Sequence, residues 1–194
     1  MFSMHNISKV FRTDLIETHA LRDFSLEVSE GEFVAVTCPW GNRFRCYAPG
    51  PFGPMTLGMP YVELDVPRGT AASIQRFYEQ AFGAPGRLDA GAAVVDAGPN
   101  QSLIFRETND VPDYDGHHVA IYVANFSGPL QWLEERELVS QGIRNHQFRF
   151  QDIADPDSGK VVFALEHEVR SMRHPGYKRV LVNRDPDGPA MFAN

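Results

Sequence analysis

Residues 59–84 read MPYVELDVPRGTAASIQRFYEQAFGA, and residues 117–139 read HHVAIYVANFSGPLQWLEERELV. Both open with alternating apolar and polar residues, the pattern of a strand with one buried face. In the first, Val62, Leu64 and Val66 share one face and Tyr61, Glu63 and Asp65 the other. In the second, Val119, Ile121 and Val123 oppose His118, Ala120 and Tyr122. Both then change to helical spacing. Ala71, Ile74, Phe77, Tyr78 and Phe82 form one stripe, which Gly83 and Pro85 end. The matching helix is SGPLQWLEERELV, closed by Gly142. Strand candidates follow each helix. They are GAAVVDAG and QSLIFRET after the first, and QFRFQDI and KVVFALEHEV after the second, the last two split by the turn Asp155–Gly159. The chain therefore predicts an internal repeat of strand, helix, then two or three strands, and with it an α+β domain.

The Val/Leu/Ile faces must pack under the two helices. That leaves Tyr61, Glu63 and Asp65 in one copy, and His118, Ala120 and Tyr122 in the other, on the far faces. Two such sheets curving together would line a cleft with these residues. Glu166 and Glu168 share a face of the last strand, with His167 between them on the opposite face.

The chain has 194 residues, enough for one domain and a fraction. Its formal net charge is −7, from 18 Lys+Arg against 25 Asp+Glu. That acidity argues against nucleic-acid binding, which needs a cationic surface, and against adhesion to anionic lipid. No apolar run approaches the roughly 18 residues of a membrane helix. The opening MFSMHNISKVFR has no apolar core of a signal peptide. Cys38 and Cys46 form neither a CxxC pair nor a disulfide framework, so a reduced, cytoplasmic protein is expected.

The two repeats, with the phrase FYEQAFGA and the spacing from strand to helix, resemble the modules of the vicinal oxygen chelate superfamily. Glyoxalase I, bleomycin-resistance proteins and extradiol dioxygenases belong to it. The resemblance runs over about residues 58–172, as modules 58–112 and 115–172. It implies paired βαβββ modules forming a curved mixed-sheet cup. In catalytic members the cup holds a divalent metal (Zn, Mn, Fe or Ni), with ligands on the first and last strand of each module. Carried onto this chain, the ligand positions fall on His118, on Glu166 or Glu168, and near Glu107. The remaining position, often histidine in the family, is Tyr61, with Glu63 on the same face. The resemblance implies a small organic ligand contacted by Tyr61, Glu63 and Tyr122, either through the metal or in a metal-free sequestering pocket, and a homodimer. His117 is expected on the packed face. The segment HPGYKRVLVNRDP, at the start of a tail covering residues 173–194, is cationic and reads as a solvated tail that could close over the cup.

The first 37 residues read differently. ISKVFRTDLIETHALRDFSLEVSEGEFVAVT resembles the opening of an ATP-binding-cassette transporter ATPase, where the aromatic at the Phe11 position stacks on adenine. A glycine-rich loop ending in Gly-Lys-Ser/Thr should follow, because its N–H groups and lysine cradle phosphates. The chain continues instead with CPWGNRFRCYAPG. Gly159-Lys160, the one Gly-Lys in the sequence, is followed by Val161, and Ala154 stands where the first glycine belongs. No ATP binding or hydrolysis is expected. PWGNRFRCY resembles the closing turn and last strand of a chelate-family module. Residues 38–57 thus read as an orphan strand plus linker, with a junction near Cys38.

Overall fold

The computed structural model describes residues 2–12, 17–29, 32–38, 41–48, 50–54 and 58–178. The chain forms two compact units, Met1–Pro60 and Tyr61–Asn194.

The first unit holds two antiparallel pairs. Strands β1 (Phe2–Arg12) and β2 (Glu17–Val28) pair with Met4 opposite Leu26 and Ile7 opposite Phe24. The register shifts between Met4 and Ile7, where Asn6 takes a positive φ of 52°. The Asn6 N–H donates to Ser25 Oγ at 3.0 Å, which satisfies a donor that the irregular ladder leaves over. Strands β3 (Phe33–Thr37) and β4 (Arg43–Tyr47) form the second pair. Their turn is closed by the Cys38 N–H on the Asn42 carbonyl and the Gly41 N–H on the Cys38 carbonyl, both at 2.9 Å. Gly41 supplies the φ of 88° that this turn needs. Residues 33–37 and 43–47 are thus each other's pairing partners. The side chain of Phe11 lies outside the described residues, as does the tail beyond Lys178.

The second unit is α+β, with two βαβββ modules in curved mixed sheets. The first module runs β5 (Tyr61–Pro67), α1 (Ala71–Phe82), β6 (Gly86–Asp89), β7 (Ala92–Gly98) and β8 (Gln101–Thr108). The second runs β9 (His118–Val123), α2 (Ser127–Glu134), β10 (Val139–Arg144), β11 (Gln147–Ala154) and β12 (Val161–Ser171). The sheets are ordered β5-β8-β7-β6 and β9-β12-β11-β10. In each, the first strand lies parallel to the last and the other pairs are antiparallel. The repeat seen in the sequence is therefore a repeat of topology.

Two elements depart from the sequence reading. The second helix ends at Glu134, and Gly142 lies inside β10 instead of closing it. Charged residues at 134–137 break the apolar stripe, and Glu137 reverses the chain with a positive φ of 57°. Its short counterpart β6 also went unseen, because GRLD carries no alternation of its own.

Helix α1 packs against β6, β7 and β8 of its own sheet and against β11 and β12 of the other. Its stripe of Ile74, Phe77 and Tyr78 is fully or almost fully buried. Tyr78 meets Phe105 of β8 and His167 of β12 at ring distances of 5.4 and 5.7 Å, while Phe77 meets Phe150 of β11 at 5.8 Å. Val66, Val95, Leu103 and Phe105 from one sheet and Phe148, Phe150, Leu165 and Val169 from the other close a single core around this helix. Burying such side chains stabilises the unit by about 1.5–3 kcal/mol each before chain entropy is counted. Each sheet's polar face is consequently the one turned away from α1.

Candidate functional site on the second sheet

The polar face of the second sheet is built from three strands. Parallel pairing of β9 and β12 sets His118 beside Glu166, Ala120 beside Glu168, and Tyr122 beside Arg170. Antiparallel pairing of β11 and β12 adds Arg149 beside Glu168. Alternation then does the rest, since residues i, i+2 and i+4 of a strand share a face.

Arg149 links both acids of β12. One guanidinium nitrogen donates to Glu166 at 2.5 Å, and the other donates to Glu168. Arg170 donates to the second oxygen of Glu168 and, at 3.0 Å, to the Tyr122 hydroxyl. The result is a continuous ladder from Glu166 through Arg149, Glu168 and Arg170 to Tyr122. Glu168 is only 4% exposed. Burial pushes its carboxyl up, but the Arg170 hydrogen bond and the charges of Arg170, Arg149 and His118 outweigh this and hold it below the ordinary carboxylate range.

Both ends of the face carry aromatic rings. Beyond β12, His174 and Tyr177 pack against Tyr122 at ring distances of 6.0 and 5.3 Å. A Cβ on Gly176 would lie 2.7 Å from the Tyr122 hydroxyl, so a larger residue there would have to displace that side chain. Burial and the Arg170 charge hold the His174 imidazole below its usual range. The first part of the HPGYK segment is therefore seated on Tyr122. At the opposite end, Tyr114 packs on His117 at 5.2 Å, and His117 precedes β9 with its ring 2.6 Å from Asp115. His117 is thus not on the packed face, because it falls before the strand whose alternation would have placed it there.

The other expected site residues are distributed by the same alternation. Tyr61 and Glu63 lie on the polar face of the first sheet, where Glu63 pairs with Arg106 at 3.1 Å. Glu107 shares its face of β8 with the buried Leu103 and Phe105, the face that looks at α1. Its carboxylate accepts the Ala71 N–H at 2.9 Å. Bonds from the Ala71 and Gly69 N–H groups keep its carboxyl below the usual range. Thr70, at the N-cap position, makes no side-chain cap hydrogen bond; its hydroxyl donates to the Pro67 carbonyl at 2.6 Å. Glu107 is thus engaged as the N-terminal cap of α1.

The donors expected for a metal are accordingly split. His118 and Glu166 are neighbours; Glu107 and Tyr61 lie elsewhere. Among the described residues, no group of three or more His, Cys, Asp or Glu side chains is arranged to hold a metal ion. Glu166 already carries a guanidinium at 2.5 Å, where a divalent ion would meet both a filled position and a like charge.

The sequence reading missed Arg149, Arg170 and the buried His167. Arginine on β11 was legible as an outward residue of QFRFQDI, but its span across two carboxylates of the next strand depends on register.

No family model and no curated protein matches the chain, its ATPase-like opening included. Solved structures do align with it. A candidate glyoxalase from Bacillus cereus is 18% identical, with a TM-score of 0.46, covering 59% of this chain and 98% of its own. A candidate glyoxalase-family protein from Bacillus anthracis is 19% identical, with a TM-score of 0.45, covering 60% and 96%. A lactoylglutathione lyase from Agrobacterium tumefaciens is 19% identical, with a TM-score of 0.42, covering 64% and 99%. The fold assignment rests on the strand order of the two modules themselves. Among the described residues, no helix is long and apolar enough to cross a membrane.

Proposed function

We propose that this chain binds a small organic molecule on the polar face of its second sheet, in the manner of the sequestering members of the vicinal oxygen chelate superfamily and without a resident metal. The observation that carries the reading is the Arg149 guanidinium across Glu166 and Glu168. It fills the place in which the family's metal reading requires free carboxylate oxygens. His118 and Tyr122 on β9, with Arg170 between Tyr122 and Glu168, supply donors and acceptors in a line. His118 and Tyr122 are four residues apart, so the line is about 13 Å long. Tyr122, His174 and Tyr177 supply an aromatic wall at one end. A ligand with a flat apolar part and polar substituents fits that division. In this reading Tyr61 and Glu63, on the polar face of the first sheet, remain candidate ligand contacts, and the chain forms a homodimer.

The test is a thermal-shift screen of small aromatic and polar organic compounds, run with and without a chelator. The expected outcome is stabilisation by a subset of them, unchanged by the chelator and lost in Tyr122→Ala and His118→Ala. Binding that disappears with the chelator, together with about one divalent ion per chain, overturns the reading.

A further inference from the structure

We propose that β6 is the edge through which this chain self-associates, and that a second copy pairs with it antiparallel about Leu88. The inference gives the homodimer of the reading above its surface, and in that respect rests on it. β6 ends the first sheet: β7 lies on one side and, among the described residues, no strand on the other. Its register with β7 is unbroken from Gly86 to Asp89. The equivalent strand of the second sheet, β10, is interrupted by register shifts, of the kind that twist an edge out of use.

The ladder decides which backbone groups face outward. The Asp96 N–H donates to the Pro85 carbonyl at 2.9 Å, so these two residues mark a hydrogen-bonded position of the β6–β7 pairing. Such positions alternate along an antiparallel pair. Arg87 and Asp89 therefore turn their N–H and C=O groups toward β7, while Gly86 and Leu88 turn theirs outward. The Gly86 carbonyl follows that alternation, since the side-chain amide of Gln75 on α1 reaches it at 3.5 Å. Leu88 keeps an outward N–H and C=O, and the residue is 58% exposed.

Pairing two copies about Leu88 sets Leu88 opposite Leu88, and the two residues exchange both backbone bonds. The same register sets Arg87 of each copy opposite Asp89 of the other. Both are exposed, and among the described residues neither forms an ion pair within its own chain. The order Arg-Leu-Asp is thus complementary to its own reverse. Charges of one sign on such a strand would repel its copy, which is how edges are commonly blunted. The contact is isologous and joins the two four-stranded first sheets into one continuous sheet. Its paired segment is short, so the dimer is one that dissociates on dilution.

Sedimentation velocity of the full chain over a range of concentrations tests the edge, alongside Arg87→Asp, Asp89→Arg, their equimolar mixture and the double variant carrying both substitutions. The parent is expected to dimerise as concentration rises. Each single variant sets like charges opposite each other and should weaken association by about tenfold or more. The mixture and the double variant should restore it, because each again places arginine opposite aspartate. Leu88→Pro removes the outward N–H, spares the bonds to β7 and should give a monomer. Melting midpoints identify any variant that fails to fold, and the remaining ones then decide. A parent that stays monomeric overturns the edge and the homodimer together. A dimer that persists in the folded single variants or in folded Leu88→Pro overturns the edge alone, as does a failure of both the mixture and the double variant to restore association. Small-molecule stabilisation is read separately in the thermal-shift screen, so its failure does not register as failure here.

Discussion

The Tyr78 hydroxyl lies 2.6 Å from His167 Nε2 in the core that joins the two modules. The other ring nitrogen of His167 lies 2.6 Å from the Leu165 carbonyl, which can only accept. Nδ1 therefore carries the proton, and Nε2 receives the Tyr78 O–H. The imidazole also stacks on Phe150, 4.2 Å away and within 12° of parallel. A neutral histidine is thus fixed between α1 of the first module and β11 of the second.

The first prediction is a loss of stability in mild acid. Burial pushes the His167 imidazole down from 6.5 to about 4, while the unfolded chain titrates near the ordinary value. Between those values the unfolded state binds a proton that the folded state does not. Stability therefore falls as pH drops through about 6.5 and stops falling from this source near 4, by on the order of 3 kcal/mol in all. Denaturant titrations at pH 7, 5.5 and 4.5 measure it. His167→Gln should be less stable at pH 7 and show a flatter profile; an equally steep profile in that variant refutes the assignment.

Removing the other half of the pair should cost stability without removing the slope. Tyr78→Phe keeps the ring packed against Phe105 and Phe77 but leaves the buried Nε2 without a donor. The expected loss is about 1–3 kcal/mol at pH 7. A neutral effect at pH 7 means that the hydrogen bond contributes nothing net.

Glu107 is expected to behave as a cap. Glu107→Ala removes the acceptor of the Ala71 N–H and should lower stability by about 1 kcal/mol. Ligand binding on the second sheet should be unchanged, because the residue faces α1. A variant of parental stability with altered ligand binding would return Glu107 to the site.

The division between legible and illegible follows the range of the interactions. Alternation in YVELDVP and HVAIYV, and helical spacing in ASIQRFYEQAF, are local, and they sufficed for the βαβββ repeat. Alternation also placed His118 and Tyr122 on one face; Glu166 joined them in the sequence reading only through the family resemblance, because the parallel pairing of first and last strands is not a local pattern. Parity puts Glu107 with Leu103 and Phe105, and the preceding Arg106 occupies the polar face instead. Arg149 was invisible as a partner because β11 slips register between Phe150 and Asp152 relative to β12, which no local pattern encodes. His167 and Tyr78 are 89 positions apart, and neither alternation nor spacing joins residues at that distance.

The ladder on the polar face gives the last prediction, a contrast between its two acids. Glu168 has a side chain only 5% exposed and receives both Arg149 and Arg170; Glu166 is 25% exposed and receives Arg149. Glu168→Gln leaves two partly buried guanidinium groups short of a countercharge, a loss of the kind that costs about 3–5 kcal/mol when a buried pair is broken. Glu166→Gln removes one contact of a more solvated acid and should cost about 1 kcal/mol or less. Chemical denaturation of both variants at pH 7 measures the difference. Added salt should weaken the parent's Glu166 contribution more than that of Glu168, because screening acts through solvent. Equal losses for the two substitutions would mean that the ladder is held by Arg149 alone, with burial of Glu168 and its bond to Arg170 contributing nothing further.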